Sequence, residues 1–136
     1  MSRDTNIAVA QALLADIAAG KDPEHIAALF DPELSFEIQG DEGVLPWIGH
    51  ATGRRAAADF FRDVRALTEP VLFEIEDVLA SDNRAVIVGK LASRIKASGR
   101  VTRSQFAIIL TLASGNIVRF QVIEDSFDVS RAARGE

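Results

Sequence analysis

Two residues combine a titratable group with a position from which it could be used. Glu124 closes an alternating stretch, Val118, Phe120 and Val122, and counting by two places its carboxyl on the apolar side of that strand. A carboxyl among aliphatic side chains is pushed toward its neutral form, which suits a general acid or base. The alternative is a solvated strand end, or a share with Asp125 in the cap of the next helix. His50 lies in a glycine-rich stretch, residues 40–52, and an imidazole there could serve as base or hydrogen-bond donor, or simply stand on the surface. Trp47, the single tryptophan, follows Pro46 and offers a broad apolar face to a ligand or to the packing of its own loop. Phe36, Phe60, Phe106, Ile108, Phe120 and Val122 are the apolar residues that would either line a pocket or fill the core.

Other arrangements carry less chemistry. Asp59 and Asp63 stand four apart beside Arg55 and Arg62, a spacing shared by metal-ligand pairs and, more often, by solvated helix faces. His25 follows Glu24 with no partner evident, and Glu37, Glu74 and Glu76 fall on the outward parity of their strands. The glycines around positions 40 and 49 lack a strand–turn–helix phosphate signature, and no serine has a nucleophile-elbow context. With no cysteine, the chain has no disulfide, thiolate nucleophile or iron–sulfur cluster, and its two histidines are far apart. We therefore expect no metal site and no cofactor.

These residues have to be held by elements. The chain has 136 residues, 48% of them hydrophobic, which suffices for one domain with its own core. Thr5 or Asp4 can cap a helix carrying Ile7, Ala10, Leu13, Leu14, Ile17 and Ala18, stopped at Gly20. Asp22-Pro23-Glu24 opens a short second helix, ended before Asp31-Pro32. Residues 34–40 alternate as a strand with Leu34, Phe36 and Ile38 inward, and residues 40–52 read as a structured loop. Thr52 can cap a third helix bearing Ala56, Phe60, Val64 and Leu67, stopped before Pro70. Strands follow over 71–79, 84–96, 100–112 and 117–124, and Asp125 or Ser126 can cap a last helix through Ala133. In the last three strands Ile87, Leu91, Ile95, Phe106, Ile108, Leu110, Leu112, Val118, Phe120 and Val122 share one parity. The other parity mixes Lys90, Arg94, Arg103, Gln105, Arg119 and Gln121 with Val86, Val88, Ala107, Ile109 and Ile123. So apolar an outer face predicts a homodimer packed sheet on sheet.

Four segments, in order, carry a resemblance: Gly20-Lys21-Asp22 with Ile26-Ala27-Ala28-Leu29-Phe30, then Gly49-His50-Ala51-Thr52-Gly53-Arg54 with Phe60-Phe61, then Gly115-Asn116-Ile117-Val118-Arg119-Phe120, and Glu124-Asp125-Ser126. Together they resemble the nuclear transport factor two-like superfamily, in its SnoaL-like polyketide cyclase and ketosteroid isomerase branch. The resemblance implies an α+β, cone-shaped fold: three N-terminal helices on a curved mixed or antiparallel sheet, a short C-terminal helix, a pocket, and commonly a homodimer. SnoaL-like cyclases use a pocket acid in the last strand, which would correspond to Glu124. The isomerase base, oxyanion-hole tyrosine and protonated acid match Ile38, Leu13 and Ile108, and the chain has no tyrosine, so steroid isomerisation by that mechanism is not expected.

The expected function is cofactor-free acid/base chemistry, a cyclisation or isomerisation, on a small and largely apolar molecule. Glu124 would carry the proton and His50 would assist. A non-catalytic binding module and a sheet-face protein–protein adaptor are the alternatives. The formal charge of −5 argues against nucleic acid as a partner. With no signal-peptide pattern and no long apolar run, no membrane association and a cytoplasmic location are expected.

Overall fold

The computed structural model describes residues 2–136. Helix α1 (Arg3–Ala18) is capped by Ser2, whose hydroxyl accepts from the Thr5 amide, and not by Thr5 or Asp4. Its buried face holds Asn6, Ala10 and Leu13, and the Asn6 side-chain amide donates to the Ser81 carbonyl at 2.9 Å, tying the helix to a distant turn. Helix α2 (Pro23–Ala27) is short, with proline in its first turn as read.

Strand β1 (Phe30–Ile38) starts four residues earlier than alternation suggested and runs through Pro32. Proline is tolerated there because the neighbouring strand β2 (Gly49–Thr52) pairs only with Ser35 to Ile38 and demands no amide from residue 32. β2 itself lies within the stretch read as a loop, so Thr52 ends a strand and Gly53 is the N-cap of α3 (Arg54–Leu67). The deepest residues of α3 are Ala57, Ala58 and Phe61, a slightly rotated face that leaves Leu67 39% exposed.

Four strands complete the sheet: β3 (Thr68–Ala80), β4 (Arg84–Ile95), β5 (Val101–Ala113) and β6 (Asn116–Ile123). Ser114 and Gly115, both with positive φ, form the two-residue turn between β5 and β6, the turn whose twist suits a tight hairpin. The order across the sheet is β2-β1-β6-β5-β4-β3, antiparallel except where β1 and β6 run parallel. Ile38, Val122, Ile108 and Ile87 are successive partners across four strands, as are Phe36, Phe120, Leu110 and Ala85. These two rows form the core on which α1 and α3 pack.

Strand β6 departs from simple alternation. One extra residue is accommodated between the pairs Leu112–Ile117 and Thr111–Arg119, so Ile117 is fully buried and Val118 loses the inward place that alternation assigned it. Helix α4 (Ser126–Ala133) closes the end of the fold over a smaller apolar cluster of Leu45, Ile95, Val129 and Ala132. Asp128 holds it to β5, accepting from the Thr102 hydroxyl at 2.8 Å and the Arg103 amide at 3.0 Å. Asp41 holds its other side, accepting from Ser130 and Arg134 at 2.7 Å each. Among the described residues no helix is long and apolar enough to cross a membrane.

Candidate functional site

The inner sheet face, α1, α3, α4 and the 45–47 segment enclose a cavity of about 540 Å³. That falls within the range of small-molecule sites. Phe120 and Val122 reach it from β6, Phe106 and Ile108 from β5, and Phe60 from α3, with Trp47 beside them. These are six of the seven apolar residues read as ligand-binding; Phe36 lines an adjoining, smaller pocket instead. Ile38 and Ile108, two of the three aliphatic replacements for isomerase machinery, face the cavity, whereas Leu13 is fully buried in the core.

Several wall residues went unread. Leu72 and Phe73 line the cavity from β3 and are 41% and 46% exposed, which puts them at its open side. Two irregularities in the β3–β4 register hide their orientation from simple counting. The Phe73 ring stacks on Phe106 at 5.3 Å, with the planes 8° apart. Gly89 makes this close packing possible, because a Cβ there would lie 2.0 Å from the Glu74 carbonyl oxygen and 3.1 Å from the Phe106 ring.

Polar groups in the wall are few: Arg65, Thr68, Ser93, Thr102 and Glu124. The Thr68 hydroxyl donates to the Val64 carbonyl at 2.7 Å, and that of Thr102 to Asp128. Arg65 donates to the Lys21 carbonyl. Ser93 and Thr102 are direct partners across β4 and β5 and share the inward parity, a signal available in the alternation itself.

Glu124 stands one residue beyond β6 and faces the cavity. Among the described residues no hydrogen bond or ion pair engages its carboxyl. Burial pushes its pKa above the ordinary glutamate value, and the neighbouring Asp125 charge adds to the rise. Asp125 itself caps α4 by accepting from the Asp128 amide at 3.0 Å.

His50 is not brought to Glu124. It sits on β2 opposite Glu37, with its Nε2 3.2 Å from the Ser35 hydroxyl, and it lines the smaller pocket. His25, read as unpartnered, lies 3.5 Å from the Asp16 carboxylate. Glu37 is less solvated than its parity implied, accepting from Gln121 at 3.1 Å and Arg119 at 3.4 Å. On the outer sheet face Val86, Val88, Ala107 and Ile109 are partly covered, while Leu79 and Ile123 are 54% and 52% exposed.

A family model described as the SnoaL-like domain matches residues 10–120. An NTF2-like protein from Burkholderia xenovorans LB400 has the same fold at 20% identity, with a TM-score of 0.86 and 98% of each chain covered. A candidate isomerase from Bacillus subtilis aligns at 18% identity and TM-score 0.77, over 98% of this chain and 95% of that one. A candidate SnoaL-like polyketide cyclase from Jannaschia sp. CCS1 aligns at 15% identity and TM-score 0.76, over 98% and 94%. At these identities the likeness is one of fold. No curated protein sequence matches the chain.

Proposed function

The chain belongs to the SnoaL-like domain family, and from that premise we propose that it takes a small, largely apolar organic molecule into the 540 Å³ cavity and moves a proton on it without a cofactor. The reaction class is cyclisation or isomerisation, and Glu124 is the proton carrier. The observation that supports this reading is an acid facing a largely apolar cavity with no hydrogen-bond or ion-pair partner among the described residues. A raised pKa makes its carboxylate a stronger base for a carbon-bound proton, and keeps more of the acid form available to return the proton to oxygen or to another carbon. The carboxyl ends the cycle as it began, so no co-reactant is needed.

The test is Glu124→Gln, which keeps the shape and removes the proton exchange. Turnover is expected to fall by at least roughly a hundredfold, while affinity for the bound molecule stays close to that of the parent. An unchanged rate would remove Glu124 from the chemistry.

A second reading, a binding module without turnover, draws support from the same wall. Ile38 and Ile108 are aliphatic, and the Thr68 and Thr102 hydroxyls already donate within the protein. Few donors are left for a developing oxyanion. In that case a cavity-filling change such as Val122→Phe abolishes binding and no activity accompanies the parent.

We also infer that two copies pair through the outer sheet face. Leu79 and Ile123, each more than half exposed, extend an apolar band over Val86, Val88, Ala107 and Ile109.

A further inference from the structure

Beside the main cavity lies a second pocket of about 180 Å³. It is several times the roughly 30 Å³ share of one water and well short of a drug-sized site. Its walls include three aromatic rings and two carboxylates. The Trp47 and Phe60 rings meet edge to face at 6.0 Å, and Phe36 stands 5.5 Å from Phe60. Asp59 and Asp63, one helical turn apart on α3 and on either side of Phe60 in sequence, also line the pocket, as does His50.

The acids are paired with basic neighbours but outnumber them. Arg62 reaches Asp59 at 3.0 Å and Asp63 at 3.4 Å, so a single guanidinium serves two carboxylates. Arg55 lies 3.8 Å from Asp59 but is engaged at 2.9 Å by Glu24. Two guanidiniums are thus shared among the carboxylates of Asp59, Asp63 and Glu24, which leaves this cluster one negative charge in excess. Among the described residues no group of three acidic, histidine or cysteine side chains is arranged to hold a metal ion. A bare cation would therefore lack ligands. A cation that carries its own apolar shell needs none, because aromatic faces and a nearby carboxylate replace its water.

We propose that this pocket binds a small methylated ammonium ion, with its methyl groups against Trp47, Phe60 and Phe36 and its charge balanced by Asp59 and Asp63. Trp47 and Phe60 are a wall common to both pockets, but Glu124 is not part of this one, so the proposal stands whether or not the proton chemistry holds. Trp47 is the one tryptophan in a chain without tyrosine, so its emission reports on the wall the two pockets share, and variants of the two acids, which line only the smaller pocket, tell which one is filled.

The protein is titrated with tetramethylammonium, with choline, and with the uncharged carbon isostere of choline, following tryptophan emission and heat in parallel. Saturable binding of both cations is expected, about tenfold tighter for choline than for its isostere. Asp63→Asn and Asp59→Asn, on a half-buried helix face, should each weaken choline several-fold and leave the isostere unchanged. Equal affinity for choline and the isostere, or no saturable response to either cation, would overturn the proposal. So would acid variants that bind choline as the parent does.

Discussion

A carboxyl turned toward apolar side chains with no partner lowers stability wherever it is ionised, and this cost is measurable at Glu124. In the unfolded chain Glu124 ionises at its ordinary value; in the folded protein it does so at a higher one. Below the ordinary value it is neutral in both states and imposes no penalty. As pH climbs through the interval between the two values, the unfolded state gains a charge that the folded state resists, and stability falls. Glu124→Gln should therefore melt with the parent at acidic pH and above it once the folded-state value has been passed, as calorimetric Tm against pH will record. Asp128 behaves in the opposite sense. The Arg103 amide and the Thr102 hydroxyl hold its pKa down, so its contribution is present above the ordinary aspartate value and disappears as pH falls through the folded one. Asp128→Asn should flatten that acid limb in the same melting series. The placement of Glu124 was legible because Phe120 and Val122 alternate regularly up to it. That of His50 was not, because the four residues of β2 carry no hydrophobic alternation that would reveal a strand or which way its side chains point.

At the scale of elements, irregular registers separate what counting can recover from what it cannot. Leu34, Phe36 and Ile38, and likewise Phe106, Ile108 and Leu110, alternate without interruption and are all buried. The β6 irregularity moved burial from Val118 to Ile117, and the two in β3 hid Leu72 and Phe73 as cavity residues. An inserted residue reverses every side chain beyond it, and nothing in composition announces the insertion. Gly89 is the element-scale residue whose role follows from backbone proximity. Gly89→Ala must push β3 away from β4 or displace the Phe106 ring, and we expect a loss of more than about 2 kcal/mol in denaturant unfolding. The attachment of α4 offers a milder case. Asp128→Ala removes the acceptor for two donors, one of them the Arg103 backbone amide, at an expected cost of about 1–2 kcal/mol. Hydrogen exchange should show that loss first in α4, above the Leu45, Ile95 and Val129 cluster.

For the whole molecule, a hydrophobic share of 48% serves two surfaces: the inner sheet face with its cavity, and the apolar band outside. If the band joins two copies, sedimentation at micromolar concentration returns a dimer, and Ile109→Glu, at the centre of that face, returns a folded monomer. A parent that sediments as a monomer would refute the pairing. The inner surface carries the central claim, that an isolated acid in an apolar cavity moves protons on carbon. Aldol-type cyclisation and isomerisation through an enol both begin with loss of a proton beside a carbonyl, so exchange at that position tests the claim without knowledge of the natural substrate. The parent and Glu124→Gln are incubated in heavy water with a panel of small cyclic ketones, and deuterium beside the carbonyl is read by mass spectrometry. The account predicts incorporation by the parent into at least one ketone that both proteins bind equally, and its loss in Glu124→Gln; equal incorporation by the two proteins, or none into any ketone the cavity binds, would contradict it.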